Sequence, residues 1–203
     1  MSDVATHWDD AYAQGETARG WFEAEPVMSL RMIDAAQVAS DASVVDIGGG
    51  TSRLVDNLLA RGHDDVTVLD VSGAALKIAQ DRLGPDAAKV TWIATDIRQW
   101  SPGRVFDLWH DRAAMHFLGD EADQDTYRRT LNAASRAGTV AVFGCFASDG
   151  PTHCSGLPVV RRDVADLVEF LGPQWALVAQ DRESHPTPGG AMQPFTWAAF
   201  VRR

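Results

Sequence analysis

The sequence has few cysteines and few basic residues for its length. Its two cysteines, Cys145 and Cys154, are too few for a disulfide framework or a cysteine-based zinc site. Lys and Arg together number 18 against 28 Asp and Glu, which gives a net charge of −10. Because the basic residues are also not clustered, the sequence does not predict a surface that binds nucleic acid.

Long apolar runs are missing as well. The longest, such as Val140–Ala147, fall well short of the ~20 residues that span a bilayer. The N-terminal sequence MSDVATHWDD contains acids and no apolar core, unlike a signal peptide. We therefore expect a cytoplasmic protein that has neither a membrane nor a nucleic acid as its partner.

Apolar residues follow strand and helix periods in alternation along the chain. With 45% hydrophobic residues and no repeat or Ser/Gly linker, the 203 residues predict a single domain, 1–203. Continuously apolar runs, typical of parallel strands covered on both faces, occur at Ser43–Ile47, Val66–Leu69, Val90–Ala94, Val105–Trp109 and Thr139–Phe143. Helical patterns occur at Pro26–Val38, Arg53–Arg61, Gly73–Leu83, Asp120–Arg136 and 164–171.

Two further extended runs, Trp175–Ala179 and Phe195–Val201, follow the last helical pattern. The HPTPGG loop between them leaves no room for a crossover helix, so these two strands should be antiparallel. We predict a doubly wound, Rossmann-like α/β fold with a seven-stranded sheet, in which five parallel βα units precede a C-terminal antiparallel hairpin.

Three consecutive glycines follow the first predicted strand, in the sequence Asp46-Ile-Gly48-Gly49-Gly50. Glycines at a strand-to-helix turn let the backbone approach a ligand closely, and the next helix adds N–H donors, although such a turn can also serve the backbone alone. A dinucleotide fingerprint has a further glycine three residues on, where this sequence has Arg53. This difference argues against a pyrophosphate site.

The next two strands each end in an acid. Asp70 lies 20 residues after Gly50, the separation that places a carboxylate on a ribose hydroxyl, and Asp96 follows the third strand. Each acid could instead cap a helix. Because the carboxyl ends of neighbouring parallel strands share one crevice, we expect Asp46, Asp70 and Asp96 to converge.

These motifs resemble the class I S-adenosylmethionine-dependent methyltransferases, from Ser43 to about Arg136, and the terminal hairpin resembles them in topology. The resemblance implies S-adenosylmethionine as cofactor and S-adenosylhomocysteine as product. It implies that the glycine turn binds the methionine part, that Asp70 binds both ribose hydroxyls, and that Asp96 faces the adenine. The cofactor is a sulfonium cation without phosphates, which suits a site with acids and no further glycine.

The segment after the fourth predicted strand contains His110, Asp111, Arg112 and His116. A strand that ends near Trp109 would place them at the mouth of the crevice. Methyl transfer is an in-line displacement that mainly requires alignment and exclusion of water, and a base is needed only for a protonated acceptor. We predict that His110, Arg112 and His116 are catalytic, with a histidine as base and Arg112 holding an anionic acceptor or shaping the pocket.

A structural alternative for this segment stays open. Asp111 and Arg112 could form an ion pair that ties down the loop, with His116 packed beneath it. No metal is expected, because His110, Asp111 and His116 do not have a familiar ligand spacing and a hard cation would repel the cofactor.

The N-terminus is rich in aromatic residues, in the sequence His7-Trp8-Asp-Asp-Ala-Tyr12-Ala-Gln-Gly15-Glu-Thr17 followed by Trp21-Phe22. It resembles the opening of thiopurine and tellurite-resistance-type methyltransferases, except that Tyr12 replaces a tryptophan. The resemblance implies an aromatic lid, residues 1–25, whose rings can stack on a sulfonium. Alternatively, the rings only attach an N-terminal helix to the core. The cofactor site expected from both resemblances comprises Trp8, Tyr12, Trp21, Asp46, Gly48, Gly49, Gly50, Ser52, Asp70, Val71, Asp96, Ile97 and His110.

We expect residues 43–146 to form the cofactor-binding core and loops 148–158 and 184–194 to border the acceptor. The leading hypothesis is transfer of a methyl group to S, Se, N or O of a small molecule, by a monomer or homodimer. The alternatives are a protein-lysine methyltransferase and a non-catalytic nucleotide-binding or regulatory protein. A nicotinamide dehydrogenase is disfavoured by Arg53 and the terminal hairpin.

Overall fold

The computed structural model describes residues 3–13, 15 and 20–203, so Thr17 of the N-terminal motif lies outside the described residues. The strands are β1 (Val44–Ile47), β2 (Val66–Asp70), β3 (Val90–Ala94), β4 (Leu108–Arg112), β5 (Val140–Phe146), β6 (His153–Cys154), β7 (Leu157–Pro158), β8 (Trp175–Pro186) and β9 (Met192–Arg202). Seven of them form one sheet in the order β3-β2-β1-β4-β5-β9-β8, and β6 pairs with β7 as a separate hairpin.

The sheet has a parallel part and an antiparallel part. Strands β3, β2, β1, β4 and β5 run parallel, whereas β9 is antiparallel to both β5 and β8. The predicted fold, five parallel units and a terminal antiparallel hairpin, is therefore confirmed. The register aligns Asp46 of β1 with His110 of β4, so the acids that end the parallel strands share one edge of the sheet.

The α-helices are α1 (Asp3–Ala13), α2 (Val27–Ala35), α3 (Leu54–Ala60), α4 (Gly73–Leu83), α5 (Glu121–Ala133) and α6 (Val164–Leu171). Buried residues of α2, α3 and α4, such as Ile33, Leu58 and Leu76, pack on one face of the sheet. Leu131 of α5 and Leu167 of α6 pack on the other face. In the part of the chain that the structure describes, no helix is long and apolar enough to cross a membrane.

Helix α1 is fastened to the start of α4. Ser72 caps α4 by accepting a hydrogen bond from the Ala75 amide (3.0 Å), and its hydroxyl donates to Asp9 Oδ1 (2.6 Å). The amide of Ala74 donates to the same carboxylate oxygen (3.3 Å). These bonds hold α1 next to the carboxyl end of β2.

The fourth strand begins and ends three residues later than predicted. It covers Leu108–Arg112 rather than Val105–Trp109, so His110 and Asp111 lie within the strand. The predicted end near Trp109 placed both outside the strand, but their side chains are buried because each has a polar partner, Asp46 for His110 and Tyr127 for Asp111. Paired polar groups can occupy a core position that unpaired ones cannot.

The predicted acceptor loops contain regular structure. Strand β8 extends to Pro186 and β9 begins at Met192, so only residues 187–191 of the predicted loop 184–194 connect them. The second predicted loop, 148–158, contains the β6–β7 hairpin. Strand β8 is longer than its apolar run because residues 180–185 are all polar, although their burial alternates between exposed and more buried positions as in a half-exposed antiparallel strand.

Candidate active site

A cavity of about 360 Å³ lies at the carboxyl edge of the parallel strands. The ends of β1, β2 and β4 and the turns after β1, β2 and β3 form its base, and α1, residues 21–23 and the β6–β7 hairpin cover it. The predicted cofactor residues that line it are Trp8, Tyr12, Trp21, Asp46, Gly48, Gly49, Ser52, Asp70, Val71, Asp96, Ile97 and His110. Of the predicted catalytic residues, His110 and Arg112 line the cavity, whereas His116 does not.

The glycine turn is packed so closely that side chains would not fit. Gly48 has φ +67°, and a Cβ there would lie 2.5 Å from the Cβ of Ala114. Gly50 has φ +48°, and its Cβ would lie 2.3 Å from the Tyr12 hydroxyl oxygen. Both positions require glycine because of the left-handed backbone and the nearby atoms. The turn thus brings bare backbone to the cavity and to α1.

Asp70 ends β2 as a buried carboxyl group in the cavity wall. It accepts hydrogen bonds from the backbone amides of Ser72 (2.7 Å) and Gly50. Burial raises the pKa of Asp70 to about 7 in spite of these bonds, and the negative charges of Asp46 and Asp9 add to the rise. Ligand hydroxyls that donate to this carboxylate would offset part of the cost of its burial.

Asp96, after β3, is paired with a nearby arginine. Both of its carboxylate oxygens accept from Arg98, which also contacts Asp123. Burial would raise the pKa of Asp96, but the hydrogen bonds from Arg98 outweigh burial and lower it. Asp96 is therefore held as a carboxylate beside the cavity.

Asp46 holds His110 in a buried chain of hydrogen bonds. Asp46 Oδ1 is 2.7 Å from His110 Nδ1, and His110 Nε2 is 3.0 Å from the hydroxyl oxygen of Ser29 in α2. A carboxylate only accepts, so Nδ1 donates to Asp46, while the Ser29 hydroxyl can donate to Nε2 or accept from it. Both ring nitrogens of His110 are therefore engaged by side chains of β1 and α2, and its predicted role in catalysis stays a prediction.

Arg112 is oriented towards the segment that covers the cavity. Its Nη1 donates to the carbonyl oxygen of Trp21 (2.9 Å), its Nη2 is 3.1 Å from Glu23 Oε1, and its guanidinium lies over the ring of Phe195. Of the two roles predicted for Arg112, these contacts favour shaping the pocket over binding an anionic acceptor.

Three residues that sequence reasoning missed extend this contact. Nδ1 of His185 lies 3.6 Å from Glu23 Oε1 and 3.7 Å from Glu183 Oε1, and Nε2 of His185 is 2.8 Å from the carbonyl oxygen of Gly20. The potential ligand atoms of the three side chains lie within 4.8 Å of one another, but the Arg112 guanidinium already supplies a cation beside Glu23. Glu183 and His185 are two residues apart and therefore lie on the same face of β8. A prediction that extended this strand beyond Ala179 would have placed them side by side.

His116 lies in a short 3₁₀ helix, Met115–Phe117, and is fully buried behind the cavity wall. Its ring packs against Phe117 and Phe146. Burial lowers the pKa of His116 to about 3, and the charges of Arg112 and Arg162 add to the fall. This placement does not fit the predicted role of His116 as a base, because the ring does not reach the cavity.

The predicted Asp111–Arg112 ion pair is also replaced by other contacts. Asp111 accepts from the Tyr127 hydroxyl (2.6 Å) and from the amides of Ala114 and Met115 (3.0 and 3.1 Å). These bonds anchor the turn after β4. Asp111 therefore supports the scaffold, whereas its neighbour Arg112 faces the cavity.

Aromatic rings from α1 and the segment after it cover the cavity. The ring centroid of Trp8 lies 6.3 Å from that of Tyr12, 5.9 Å from Trp21 and 5.0 Å from Phe117. The rings of Tyr12 and Trp21 are 6.0 Å apart. This aromatic cluster attaches α1 to the core and also forms a wall of the cavity.

The β6–β7 hairpin contributes Cys154, Leu157 and Pro158 to the wall, whereas His153 is exposed. Burial raises the pKa of the Cys154 thiol to about 11, so this thiol is neutral at pH 7. No residue of the predicted acceptor loop 184–194 lines the cavity. One residue of this range, His185, contacts Glu23, which does line the cavity.

Comparison with known proteins connects this geometry to a family. A family model described as a methyltransferase domain matches residues 44–138. EEF1A lysine methyltransferase 2 of Mus musculus is 32% identical over 82 residues, which are 36% of this chain, and the match spans 34% of that relative's length. The mitochondrial citrate synthase-lysine N-methyltransferase CSKMT of Pongo abelii is 24% identical over 179 residues, 84% of this chain and 67% of the relative.

The fold is shared with solved methyltransferase structures. The structure of N-methyltransferase NodS from Bradyrhizobium japonicum WM9 with S-adenosylhomocysteine superposes with a TM-score of 0.74. That superposition covers 98% of this chain and 99% of the other, at 17% identity. The donors and acceptors of the cavity also fit the cofactor, since acids line it and its two arginines, Arg98 and Arg112, are each paired with a carboxylate.

Proposed function

We propose that the chain, whose residues 44–138 match a methyltransferase-domain family model, is a class I S-adenosylmethionine-dependent methyltransferase that methylates a heteroatom of a small molecule. The observation that carries this proposal is the charge of the cavity wall. Four carboxyl groups line it, those of Glu23, Asp46, Asp70 and Asp96, against two arginines that are already paired. Such a wall suits a cationic cofactor without phosphates.

S-Adenosylmethionine, when bound, supplies the methyl group, whose carbon bonds to the acceptor atom while the C–S bond breaks and its electron pair stays on sulfur. For the binding residues we propose the roles implied by the resemblance: the turn Gly48–Gly50 for the methionine part, Asp70 for the ribose hydroxyls, and Asp96 for the adenine side. His110 positions Asp46. These residues orient the cofactor, which is the main requirement of an in-line displacement.

The aromatic cluster of Trp8, Tyr12 and Trp21 excludes water and provides ring faces for a sulfonium. Arg112 fixes the segment that carries Trp21 and so shapes the acceptor side. Of the histidines that could accept a proton from the acceptor, His116 is left out, because it does not line the cavity.

A small acceptor is supported by the cover over the cavity. Helix α1, residues 21–23 and the β6–β7 hairpin all contribute to its wall, and its volume of about 360 Å³ is in the range of small-molecule sites. A protein lysine is the second candidate, because EEF1A lysine methyltransferase 2 and CSKMT are both named as lysine methyltransferases. We propose a monomer or a homodimer.

The test is methyl transfer from labelled S-adenosylmethionine to a panel of small thiols, selenols, amines and phenols, beside a panel of purified proteins. We expect label in at least one class of small molecule. Label only in protein lysines would favour the second candidate. Failure to bind S-adenosylhomocysteine would contradict both.

A further inference from the structure

Glu23 is the carboxylate on the acceptor side of the cavity. It is the last residue of the segment that covers the cavity, it lines the wall beside Arg112, and its side chain is only 13% exposed. The other acids of the wall lie on the side of the strand ends, where Asp46 bonds His110, Asp70 bonds backbone amides, and Asp96 bonds an arginine. Glu23 has a partner as well, Nη2 of Arg112 at 3.1 Å, but it shares this guanidinium with Glu183. Its position in the covering segment makes Glu23 the acid of the wall that faces an acceptor.

The charges around Glu23 favour a positive ligand. The groups that face it are Arg112 and His110 from β4, and Glu183 and His185 from β8. Two carboxylates thus share one permanent positive charge, that of Arg112. Burial raises the pKa of Glu23, and Arg112 only partly opposes this rise. A carboxylate in this position gains free energy when it meets a cation or accepts a proton.

Arg112 is directed at the fold by two contacts. Its Nη1 donates to the Trp21 carbonyl oxygen, and its Nη2 lies 3.1 Å from Glu23 Oε1. Its Nε and Nη2 atoms are buried and have no hydrogen-bond partner among the described residues. An acceptor with a negative charge would therefore meet the carboxylate of Glu23 next to this guanidinium, whereas a positive one would meet the carboxylates of Glu23 and Glu183.

We propose that the acceptor is a small primary or secondary amine, and that Glu23 binds its ammonium group and accepts one proton from it. This inference rests on the proposed function. The N–H bond of the ammonium breaks, the proton goes to a carboxylate oxygen of Glu23, and the lone pair that stays on nitrogen becomes the nucleophile. After transfer, the product ammonium carries the positive charge, and Glu23 releases its proton to water.

The apolar part of the wall indicates what the amine carries. Phe117, Leu157 and Pro158 line the cavity together with Glu23. An acceptor whose ammonium group is attached to an apolar or aromatic group would place its charge at Glu23 and its apolar part against these side chains. Suitable probes are benzylamine, phenethylamine, cyclohexylamine and butylamine, with phenylmethanethiol and benzoate as comparisons of other charge.

The experiment measures methyl transfer and binding for the unmodified protein and for Glu23→Gln, Glu23→Asp and Glu25→Gln. Glu25 is exposed two residues away and serves as the matched control. Binding of each amine is measured by calorimetry on the protein saturated with S-adenosylhomocysteine, which gives a readout that does not depend on turnover. Melting temperature and S-adenosylhomocysteine affinity report whether each variant is folded.

We expect transfer to at least one amine, a fall of kcat/KM of roughly a hundredfold in Glu23→Gln, and weaker amine binding. Transfer to the thiol should change less than threefold. The deficit should shrink as pH rises from 7 to 10, because more amine is then already neutral. Glu23→Asp should recover part of the activity, and Glu25→Gln should match the parent.

Other outcomes overturn the inference. Transfer to the thiol but to none of the four amines would leave the proposed function intact and show that the acceptor is not an amine. Equal losses for amine and thiol in Glu23→Gln, with no dependence on pH, would show that Glu23 only fastens the covering segment. Absence of S-adenosylhomocysteine binding in the parent would instead contradict the proposed function itself.

Discussion

The cofactor side of the cavity is formed by residues at the ends of successive strands, whereas its acceptor side is joined by contacts between distant parts of the chain. Asp70 bonds the backbone of Ser72, two residues away. On the acceptor side, Arg112 reaches Trp21 across 91 positions, and His185 reaches Gly20 across 165. The cofactor side is therefore determined by local sequence motifs, whereas the acceptor side depends on how the terminal hairpin packs against the N-terminal segment.

The largest expected effect is on the cofactor side. Asp70→Ala removes the carboxylate expected to accept from both ribose hydroxyls, and hydrogen bonds to a charged group contribute about 1.5–3 kcal/mol each. We expect S-adenosylhomocysteine affinity to fall roughly a hundredfold by calorimetry. Asp64→Ala, at an exposed position before β2, is the control. An unchanged affinity in Asp70→Ala would mean that Asp70 only caps the start of α4.

Arg112→Met probes the acceptor side. The substitution removes the guanidinium that faces the carboxylates of both Glu23 and Glu183 and leaves these two charges largely buried without it. The free energy of unfolding should therefore fall by about 2–3 kcal/mol. The melting temperature should fall by roughly 5–10 °C. S-Adenosylhomocysteine affinity should fall much less than in Asp70→Ala, which distinguishes this side from the side of Asp70.

The double variant Glu23→Gln/Arg112→Met tests the reason for that loss. Removing the unpaired carboxylate should recover part of the stability, measured by denaturant unfolding of both single variants and the double. If the two losses simply add, the 3.1 Å contact between Arg112 and Glu23 contributes nothing to stability.

The pH dependence of cofactor binding follows from Asp70. Its pKa is raised to about 7 by burial, so in the free protein it is protonated below that pH, whereas ribose hydroxyls need the carboxylate form. S-Adenosylhomocysteine affinity should therefore fall about tenfold between pH 8 and pH 6. The raised pKa of Asp70 also makes the free energy of unfolding fall as pH increases from 3.8 to about 7. In this range the folded state retains a proton on Asp70 that the unfolded chain releases. Asp70→Asn should remove both dependences, and their persistence would assign them to another group.

The smallest expected effect concerns the hydrogen bonds that hold α1, which covers the cavity, to the start of α4. Asp9→Ala removes the acceptor for Ser72 and Ala74 that fastens α1. We expect a three- to tenfold loss of S-adenosylhomocysteine affinity, from about 1 kcal/mol of hydrogen bonding. Asp10→Ala, the exposed neighbour on the same helix, should bind like the parent. Equal affinities in both variants would show that α1 contributes no cover to the cofactor.

The comparison also explains what the sequence could predict. The sheet, the glycine turn and the convergence of Asp46, Asp70 and Asp96 follow from apolar periods and strand ends, and they were predicted. Glu23 and His185 were missed, because no local pattern shows that they meet across the fold. His110 could be placed at the site, but its bonds to Asp46 and Ser29 depend on packing of α2 that residue spacing does not determine.

The central claim, a methyltransferase site on the cofactor side, is tested most directly by calorimetric titration of the protein with S-adenosylhomocysteine and, separately, with NAD. The account predicts one-to-one binding of S-adenosylhomocysteine and no heat of binding with NAD, because Arg53 stands where a dinucleotide turn needs glycine and the wall is acidic. Tight binding of NAD together with no binding of S-adenosylhomocysteine would contradict it.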